Sequence, residues 1–474
     1  MKAIHRLRQS IFGPPSPSNI DITKYNTSDI IERDVCIIGG GAAGTYAAIQ
    51  LQNIHNKSIV VVEKQPRLGG QTTTYVDPNS GQPVEYGVTW FMDLPVVRKY
   101  FAQLDIDVVP SSFTSRLQGY DFRTGDQFPT SPPEAQKAAM AIYRAKMEEY
   151  PFLKLGFYLP DPVPKDLLLP FEEFVKKHDM ASVLHSMGGL NFLGDWLRQP
   201  TLYVMKYLNM GFVTGLQDGF LKPANRNNGS VYTRAQHRIG EDNVLLSSHV
   251  ITMDRDSDPT WVYVEVQSGS GGYTRTQLIR AKRVIVAVPP LLTTLQGFDL
   301  SAAEKALFCQ FRHTYCYTGV IRVNKELPPG VCFTNRASED IFVYPRLPCV
   351  LTIRPSDVPG LYTLHIGSST PLSEDEVKRE IQSSLRSFQM TTPEILVTGN
   401  HSPYQLTVSA EAIEAGFYND LNGLQGNRRT YYIGSTFESH NSPQIWELTD
   451  QILENNLVPS LQSPSGKSGW RYRW

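Results

Sequence analysis

Cysteine is scarce in this chain of 474 residues: only Cys36, Cys309, Cys316, Cys332 and Cys349. None stands in a C-x-x-C spacing, and His401 and His440 show no metal-ligand spacing either. Neither a disulfide scaffold nor a metal site is expected. Charge of one sign is also missing. Lys and Arg number 45 against 46 Asp and Glu, a net charge of -1. That leaves no basic footprint for nucleic acid and no polybasic membrane anchor. Long apolar runs are absent too, and no stretch reaches the ~18 residues of a transmembrane segment. Met1 to Gly13 is basic but lacks the apolar core of a signal peptide. A cytoplasmic protein with reduced thiols is expected. Residues 1–30 are read as a flexible tail, since Gly13-Pro14-Pro15-Ser16-Pro17-Ser18 suits neither helix nor central strand. The whole is 41% apolar and 19% charged, which fits a folded chain with room for two to four domain-sized units.

Periodicity divides the chain. Val35-Cys36-Ile37-Ile38 and Ile59-Val60-Val61-Val62 are short apolar runs of the kind buried on both faces of a parallel sheet. A helical stretch to about Asn53 lies between them, making a β-α-β unit. Residues 133–222 read as helical, with no strand. Met140, Tyr143, Met147 and Tyr150 share one helix face, Pro170 opens a helix from Phe171 to His178, and Trp196 to Tyr207 is a third, interrupted at Pro200. Strands return at 244–246, 249–251, 261–266, 277–280 and 284–288, then at 315–323, 341–344 and 361–366. Ser373 and Glu376 form a capping box ahead of a helix expected to bury Val377, Ile381, Leu385 and Phe388. A last strand at 431–433 precedes a helix from about Pro443 to Asn455.

Gly39-Gly40-Gly41-Ala42-Ala43-Gly44 satisfies G-x-G-x-x-G. The string gains weight from its setting: a buried strand before it, a helix after it, and Glu63 ending the next strand about 20 residues on. Gly39 permits the tight turn, Gly41 lets the backbone approach a pyrophosphate, and Gly44 lets the helix pack close to the sheet. Ala42 and Ala43 open the helix, whose free N–H groups and partial positive charge suit phosphates. Glu63 would accept hydrogen bonds from ribose hydroxyls.

From Glu63 through Lys64-Gln65-Pro66-Arg67-Leu68-Gly69-Gly70-Gln71, the chain resembles the E-x-x-x-R-x-G-G-R motif of the FAD-dependent amine oxidases and their relatives. The resemblance implies FAD contacts at Lys64, Arg67, Gly69, Gly70 and Gln71. Val84 to Trp90 is similar to the family's D-x-G-x-x-W segment, which implies that Gly87, Val88 and Thr89 run along the flavin ring. Val250 stands where the family places a valine beside the adenine. Val284 to Pro290 resembles its V-I-V-A-V-P-P strand, and Tyr432-Ile433-Gly434-Ser435 the strand that returns to the flavin, followed by Gln444 and Ile445 on the last helix. These segments keep family order over most of the chain. The implied fold class is α/β: a Rossmann-like FAD/NAD(P)-binding domain with an inserted mixed sheet-plus-helices substrate domain. The FAD domain would comprise residues 31–125, 225–300 and 400–474, and the substrate domain 126–224 and 301–399.

The departures narrow the resemblance. Gln71 replaces an arginine, Thr436 stands where Glu is usual, the G-A-x-x-S-G helix is absent, and no lysine is placed to hold a water at the flavin. The chain is therefore closer in look to fungal secondary-metabolite flavoproteins, such as β-cyclopiazonate oxidocyclase, and to flavin-dependent fatty-acid isomerases. The implied activity is hydride removal to flavin N5 from a hydrophobic, nitrogen-containing small molecule in alkaloid-type metabolism, with molecular oxygen as electron acceptor. A double-bond isomerase without net oxidation and a non-catalytic flavin-binding protein are the alternatives. Candidate catalytic residues are Trp90, Tyr404 and His440. His440 is read with Glu438 as an acid/base pair or, equally, as part of a helix cap. Tyr404 is either a flavin neighbour or a core tyrosine. Trp90, with Phe91, either walls the cavity or packs between domains.

Overall fold

Val35 to Ile38 are wholly buried because they end the strand Ile30–Ile38, which has a parallel neighbour on each side. The computed structural model describes residues 20–112, 115–188, 193–270, 273–323, 327–328, 330–337, 345–388 and 393–462. Seven strands form the first sheet. Its spatial order is Val244–Leu245, Ile59–Val62, Ile30–Ile38, Tyr273–Val286, Val262–Ser270, Ser248–Asp254, and Thr430–Tyr432 pairs with Tyr273–Val286. The helix Ala42–Asn53 covers the parallel part and packs against Ser442–Ile452. This is the expected Rossmann-like α/β layer.

A second seven-stranded sheet runs Glu394–Asn400, Arg312–Arg322, Leu361–Ser368, Cys349–Pro355, Val331–Asn335, Arg116–Tyr120, with Tyr404–Thr407 also paired to Arg312–Arg322. The capped helix Glu374–Arg386 packs on it through Val377, Ile381 and Leu385. Between the two sheets in sequence lies a helical segment that includes Pro133–Glu148, Phe171–Lys177, Thr201–Tyr207 and Met210–Asp218. The buried Tyr143 hydroxyl donates to the Leu208 carbonyl at 3.0 Å and joins the first of these helices to the third.

Several boundaries differ from the sequence reading. The strands expected at 277–280 and 284–288 are one long strand ending at Val286, since its two ends pair with different neighbours. Phe220–Pro223 is a strand within the segment read as strand-free, paired with Val108–Ser111. Phe388 lies past the helix end and is only half-buried. The strand expected at 341–344 lies outside the described residues. Arg116–Tyr120 belongs to the second sheet, although the 31–125 segment assigned it to the first domain, and Tyr404–Thr407 likewise pairs away from the 400–474 segment. Of the tail, residues 1–19 lie outside the described residues. Residues 22–29 are not loose chain: they form two single turns, with Asp29 2.8 Å from the Arg275 guanidinium and the Tyr25 hydroxyl donating to Glu265.

The tightest constraint is at the glycine turn. Gly39 has φ +106°, and a Cβ built on Gly44 would stand 1.8 Å from the Gly39 carbonyl oxygen. No side chain relieves a clash of backbone with backbone. Gly44→Ala is therefore expected to cost more than the ~1–3 kcal/mol of ordinary overpacking. Melting temperature and soluble yield check this: a variant that melts with the wild type contradicts the packing.

Candidate active site

The glycine turn, the Gly69-Gly70 bend and the Gly434 bend converge at one end of the first sheet. Gly69, Gly70 and Gly434 have φ of +116°, +53° and +111°. Gly41 and Gly70 face each other so closely that a Cβ on Gly70 would lie 3.0 Å from the Gly41 Cα. A Cβ on Gly434 would meet Ala43 at 3.8 Å. No side chain caps the helix that begins at Ala42. Glu63 is buried at the end of its strand and accepts from the Gly40 N–H at 2.7 Å and the Gln65 N–H at 2.8 Å. Lys64 and Arg67 are exposed, and the Arg67 guanidinium donates to the Leu68 and Gly70 carbonyls. Val250 is half-buried on Ser248–Asp254, opposite Val266.

The groove leads into a cavity of about 850 Å³, counting its open mouth. One wall is Gln71 and the segment Gly87-Val88-Thr89-Trp90. That segment passes so close to Gln71 that a Cβ on Gly87 would fall 2.2 Å from the Gln71 carbonyl oxygen. It is tied from behind: Asn228 donates its side-chain amide to the Val88 carbonyl at 2.8 Å and its N–H to Glu85. Burial pushes the Glu85 carboxyl up to about 7, against those hydrogen bonds. Trp90 stacks on Phe220 with ring centroids 5.5 Å apart, and the Arg354 guanidinium lies over its ring at 5.1 Å. Phe91 does not share this wall. It is fully buried against Trp446 and Phe101, because the next residue along an extended segment faces the other way.

The opposite wall is one face of the second sheet. Cys316 and Thr318 are two apart on Arg312–Arg322 and so point the same way. Thr318 lies directly across from His365, which lies across from Thr352. His401 follows the neighbouring strand, with its ring Nε2 2.8 Å from the Thr318 hydroxyl. The sequence reading did not find His365, Thr318 or Cys316 as site residues, and noted His401 only for its lack of metal spacing. Their shared face depends on strand register, which only a pairing pattern reveals.

Tyr404 and His440 complete the cavity, stacked at 4.1 Å. The Gln405 N–H donates to His440 Nε2 at 2.9 Å, which places the ring proton on Nδ1, 3.2 Å from Gln71 Oε1. Gln71 in turn donates to the His401 carbonyl at 3.0 Å. With both ring nitrogens engaged, His440 is held as a neutral strut. Burial, then the Arg67 charge, holds His401 at about 4; burial, then His401, holds His440 at about 3. Burial, with Arg354 and His401 nearby, keeps His365 well below its ordinary value.

Of the two readings of His440, the acid/base pair with Glu438 does not form. Glu438 is fully buried in an ion pair with Lys206 and also accepts from the Gly156 N–H. Lys206 also donates to the Leu153 carbonyl at 3.0 Å. Ser435 and His440 border the small pocket around this pair. The Gln444 side chain is likewise engaged elsewhere, accepting from Asn209 at 2.6 Å, and Ile445 is in the core. All five cysteines are free thiols. Among the described residues no cluster of three His, Cys, Asp or Glu is arranged for a metal, and no helix is long and apolar enough to cross a membrane.

The model of the NAD(P)-binding Rossmann-like domain family matches residues 37–104. Similar proteins include the "FAD-dependent oxidoreductase oblC" of Cochliobolus heterostrophus, 35% identical over 96% of this chain and 97% of that one. The "Beta-cyclopiazonate dehydrogenase" of Aspergillus flavus is 31% identical over 90% of this chain and 94% of its own. The chain belongs to the fungal FAD-dependent oxidoreductases. Among solved structures, a CLA-producing fatty acid isomerase from P. acnes shares the fold at TM-score 0.73 and 18% identity, covering 89% of this chain and 98% of that one. Putrescine oxidase with bound putrescine does so at 0.62 and 18%, over the same shares. The cofactor is FAD, and the groove fits it. Gly41, Gly70 and Gly434 leave free the space that side chains would fill, beside an uncapped helix N-terminus and a buried carboxylate.

Two outcomes follow for this oxidoreductase. Removing one partner of the Lys206–Glu438 pair leaves a buried charge unpaired, a cost of ~3–5 kcal/mol. Lys206→Met and Glu438→Gln should each melt well below the wild type, and Lys206→Met combined with Glu438→Leu should recover much of the loss; equal melting of all variants would contradict the pairing. The buried histidines contribute a pH dependence of their own: their folded pKa values lie below the unfolded value of about 6.5, so their part of the stability falls as pH drops from 6.5 through 4. Glu85, pushed up to about 7, acts in the opposite sense over the same window. The histidine part is therefore read as a difference: in denaturant titrations from pH 6.5 to 4 the wild type should lose more stability than His401→Gln, and equal changes in the two would contradict it.

Proposed function

We propose that this oxidoreductase removes a hydride from a hydrophobic, uncharged small molecule held between the Trp90–Phe220 stack and the Thr318–His365 face, in fungal secondary metabolism. The observation that carries this reading is the composition of the cavity. One wall belongs to the segments that continue from the FAD groove, Gln71 and Gly87 to Thr89, and the other to the second sheet. A molecule in it lies against both. Relatives named β-cyclopiazonate dehydrogenase support an oxidation in this reading.

In this reading Gly39, Gly41, Ala42, Ala43, Gly44, Gly69 and Gly70 pass the pyrophosphate, Glu63 holds the ribose hydroxyls and Val250 lies toward the adenine. Arg67 and Lys64 add positive charge at the exposed side. Gln71, Gly87, Val88, Thr89, Gly434 and Ser435 line the flavin end. Gln444 and Ile445 support it from the last helix rather than by side-chain contact. Bound FAD supplies a two-electron acceptor. The chain supplies orientation and a water-poor, mostly aromatic enclosure. Trp90 and Phe220 give a flat wall for stacking. His440 positions Gln71 and Tyr404 and is not a base, since proton uptake at Nε2 would break its bond to the Gln405 N–H. The nitrogen expected beside the reacting carbon is then a neutral one, because no acidic side chain lines the cavity among the described residues.

The test is anaerobic mixing of the yellow holoprotein with candidate indole alkaloids. Substrate should bleach the flavin, and readmitted air should restore it with oxygen consumed in proportion to product. Product without oxygen uptake or flavin turnover would mean an isomerase. A flavin that dithionite reduces but no candidate bleaches would point away from this substrate class.

A further inference from the structure

Tyr404–Thr407 is paired to Arg312–Arg322 one residue out of step. Thr407 lies across from Arg312 and Tyr404 from Thr314, so Gln405 and Leu406 together face His313 alone. Two residues against one make a β-bulge, a device that bends a strand and re-aims its side chains. Gln405 and Leu406 accordingly border the same small pocket, whereas adjacent residues of a regular strand point to opposite faces. Gln405 carries the bulge on a left-handed backbone, with φ +50°. Glycine is the usual residue there, since a Cβ in that conformation is strained. The glutamine side chain gives little in return. Gln405 is only 7% exposed, and among the described residues its Oε1 has no hydrogen-bond partner.

The return lies in the backbone. The bulged Gln405 turns its N–H to His440 Nε2 at 2.9 Å. Tyr404, just before the bend, enters the cavity and stacks on the same imidazole at 4.1 Å. From the neighbouring strand the Thr314 hydroxyl donates to the Tyr404 carbonyl at 3.1 Å. In a regular ladder the N–H groups lie in the sheet and the side chains stand across it; the bend brings one of each onto a single ring. From His440 the contacts run on to Gln71, which donates to the His401 carbonyl. Backbone strain retained beside a site points to a role there. Resting on the reading that this cavity holds the substrate, we propose that Gln405 is a positioning residue acting through its left-handed backbone: it sets Tyr404 and His440 against each other and, through His440, holds Gln71 at the flavin end.

The test compares Gln405→Gly, Gln405→Asn, Gln405→Ala and Gln405→Val as FAD-loaded proteins. Glycine and asparagine accept the left-handed region, alanine is strained in it, and a β-branched residue is an outlier there. Gln405→Gly should therefore melt above Gln405→Ala, the reverse of the order at an ordinary strand position, where alanine is favoured through the unfolded chain. Gln405→Ala melting at or above Gln405→Gly overturns the proposal, whether or not Gln405→Val folds. The second readout is NMR of ring-15N histidine, with His440 assigned by the loss of its signal in His440→Gln. The wild type, Gln405→Gly and Gln405→Asn should share one His440 signature, a neutral ring with its proton on Nδ1, and Gln405→Val should lose it. Loss of the signature in Gln405→Gly would give the role to the side chain and overturn the proposal, as would an unchanged signature in a folded Gln405→Val. Flavin absorbance separates the proposal from the reading it rests on. His440→Gln and Gln405→Val should both shift the flavin band. A band unmoved by His440→Gln counts against the reading that this cavity meets the flavin. A band moved by His440→Gln but not by a folded Gln405→Val counts against Gln405 alone.

Discussion

Two charges with no access to water join the helical segment to the loop that follows the last strand of the first sheet. Lys206 comes from the helical segment, and Glu438 from the loop that leaves the last strand of the first sheet. Neither charge is tolerable alone, so the loop and the helix must meet, and burial works against both ionised forms until they do. The consequences reach the cavity. His440 is two residues past Glu438, and its orientation fixes Gln71 through one nitrogen and the Gln405 backbone through the other. The pair thus anchors the loop from which His440 enters the cavity.

The parts legible in the sequence were those set by local rules. The turn at Gly39 to Gly44, the two buried runs beside it and the capping box at Ser373 depend on neighbouring residues, and each formed where expected. Trp90, Tyr404 and His440 do reach one cavity. What stayed hidden depends on pairing between distant segments. Thr318 and His365 become neighbours only through antiparallel register. Glu438 sits two residues from His440 in sequence yet turns to a lysine more than two hundred residues away, and local spacing carries no sign of that choice. The long strand Tyr273–Val286 looked like two because its burial changes along its length as its partners change.

The histidines illustrate how burial selects chemistry. Three imidazoles border one cavity, an arrangement that in water would suggest proton transfer near neutrality. Here burial above all keeps them uncharged, helped by Arg354 at His365 and Arg67 at His401, and Thr318, Thr352, Gln71 and the Gln405 N–H engage their nitrogens. With their nitrogens engaged, they present fixed dipoles to the cavity and add no charge to it.

Cofactor binding and substrate choice are built on different elements, and this separates them energetically. The FAD groove depends on backbone proximity, at Gly44 against Gly39 and Gly70 against Gly41, where a single added carbon is excluded. The substrate wall depends on side chains standing up from a sheet whose core lies on its other face, with Tyr317, Ile321, Leu364 and Ile366 turned away from the cavity. Cys316, Thr318 and His365 alternate with those core residues along their strands. In the proposed reading, substitutions at these three positions change what the cavity accepts while the alternating partners keep the sheet packed. The glycine end has no such freedom, since its function is carried by the backbone itself. The fold therefore joins a groove that is narrowly constrained to a wall that is open to change, and in the proposed reading that wall is where substrate selectivity resides.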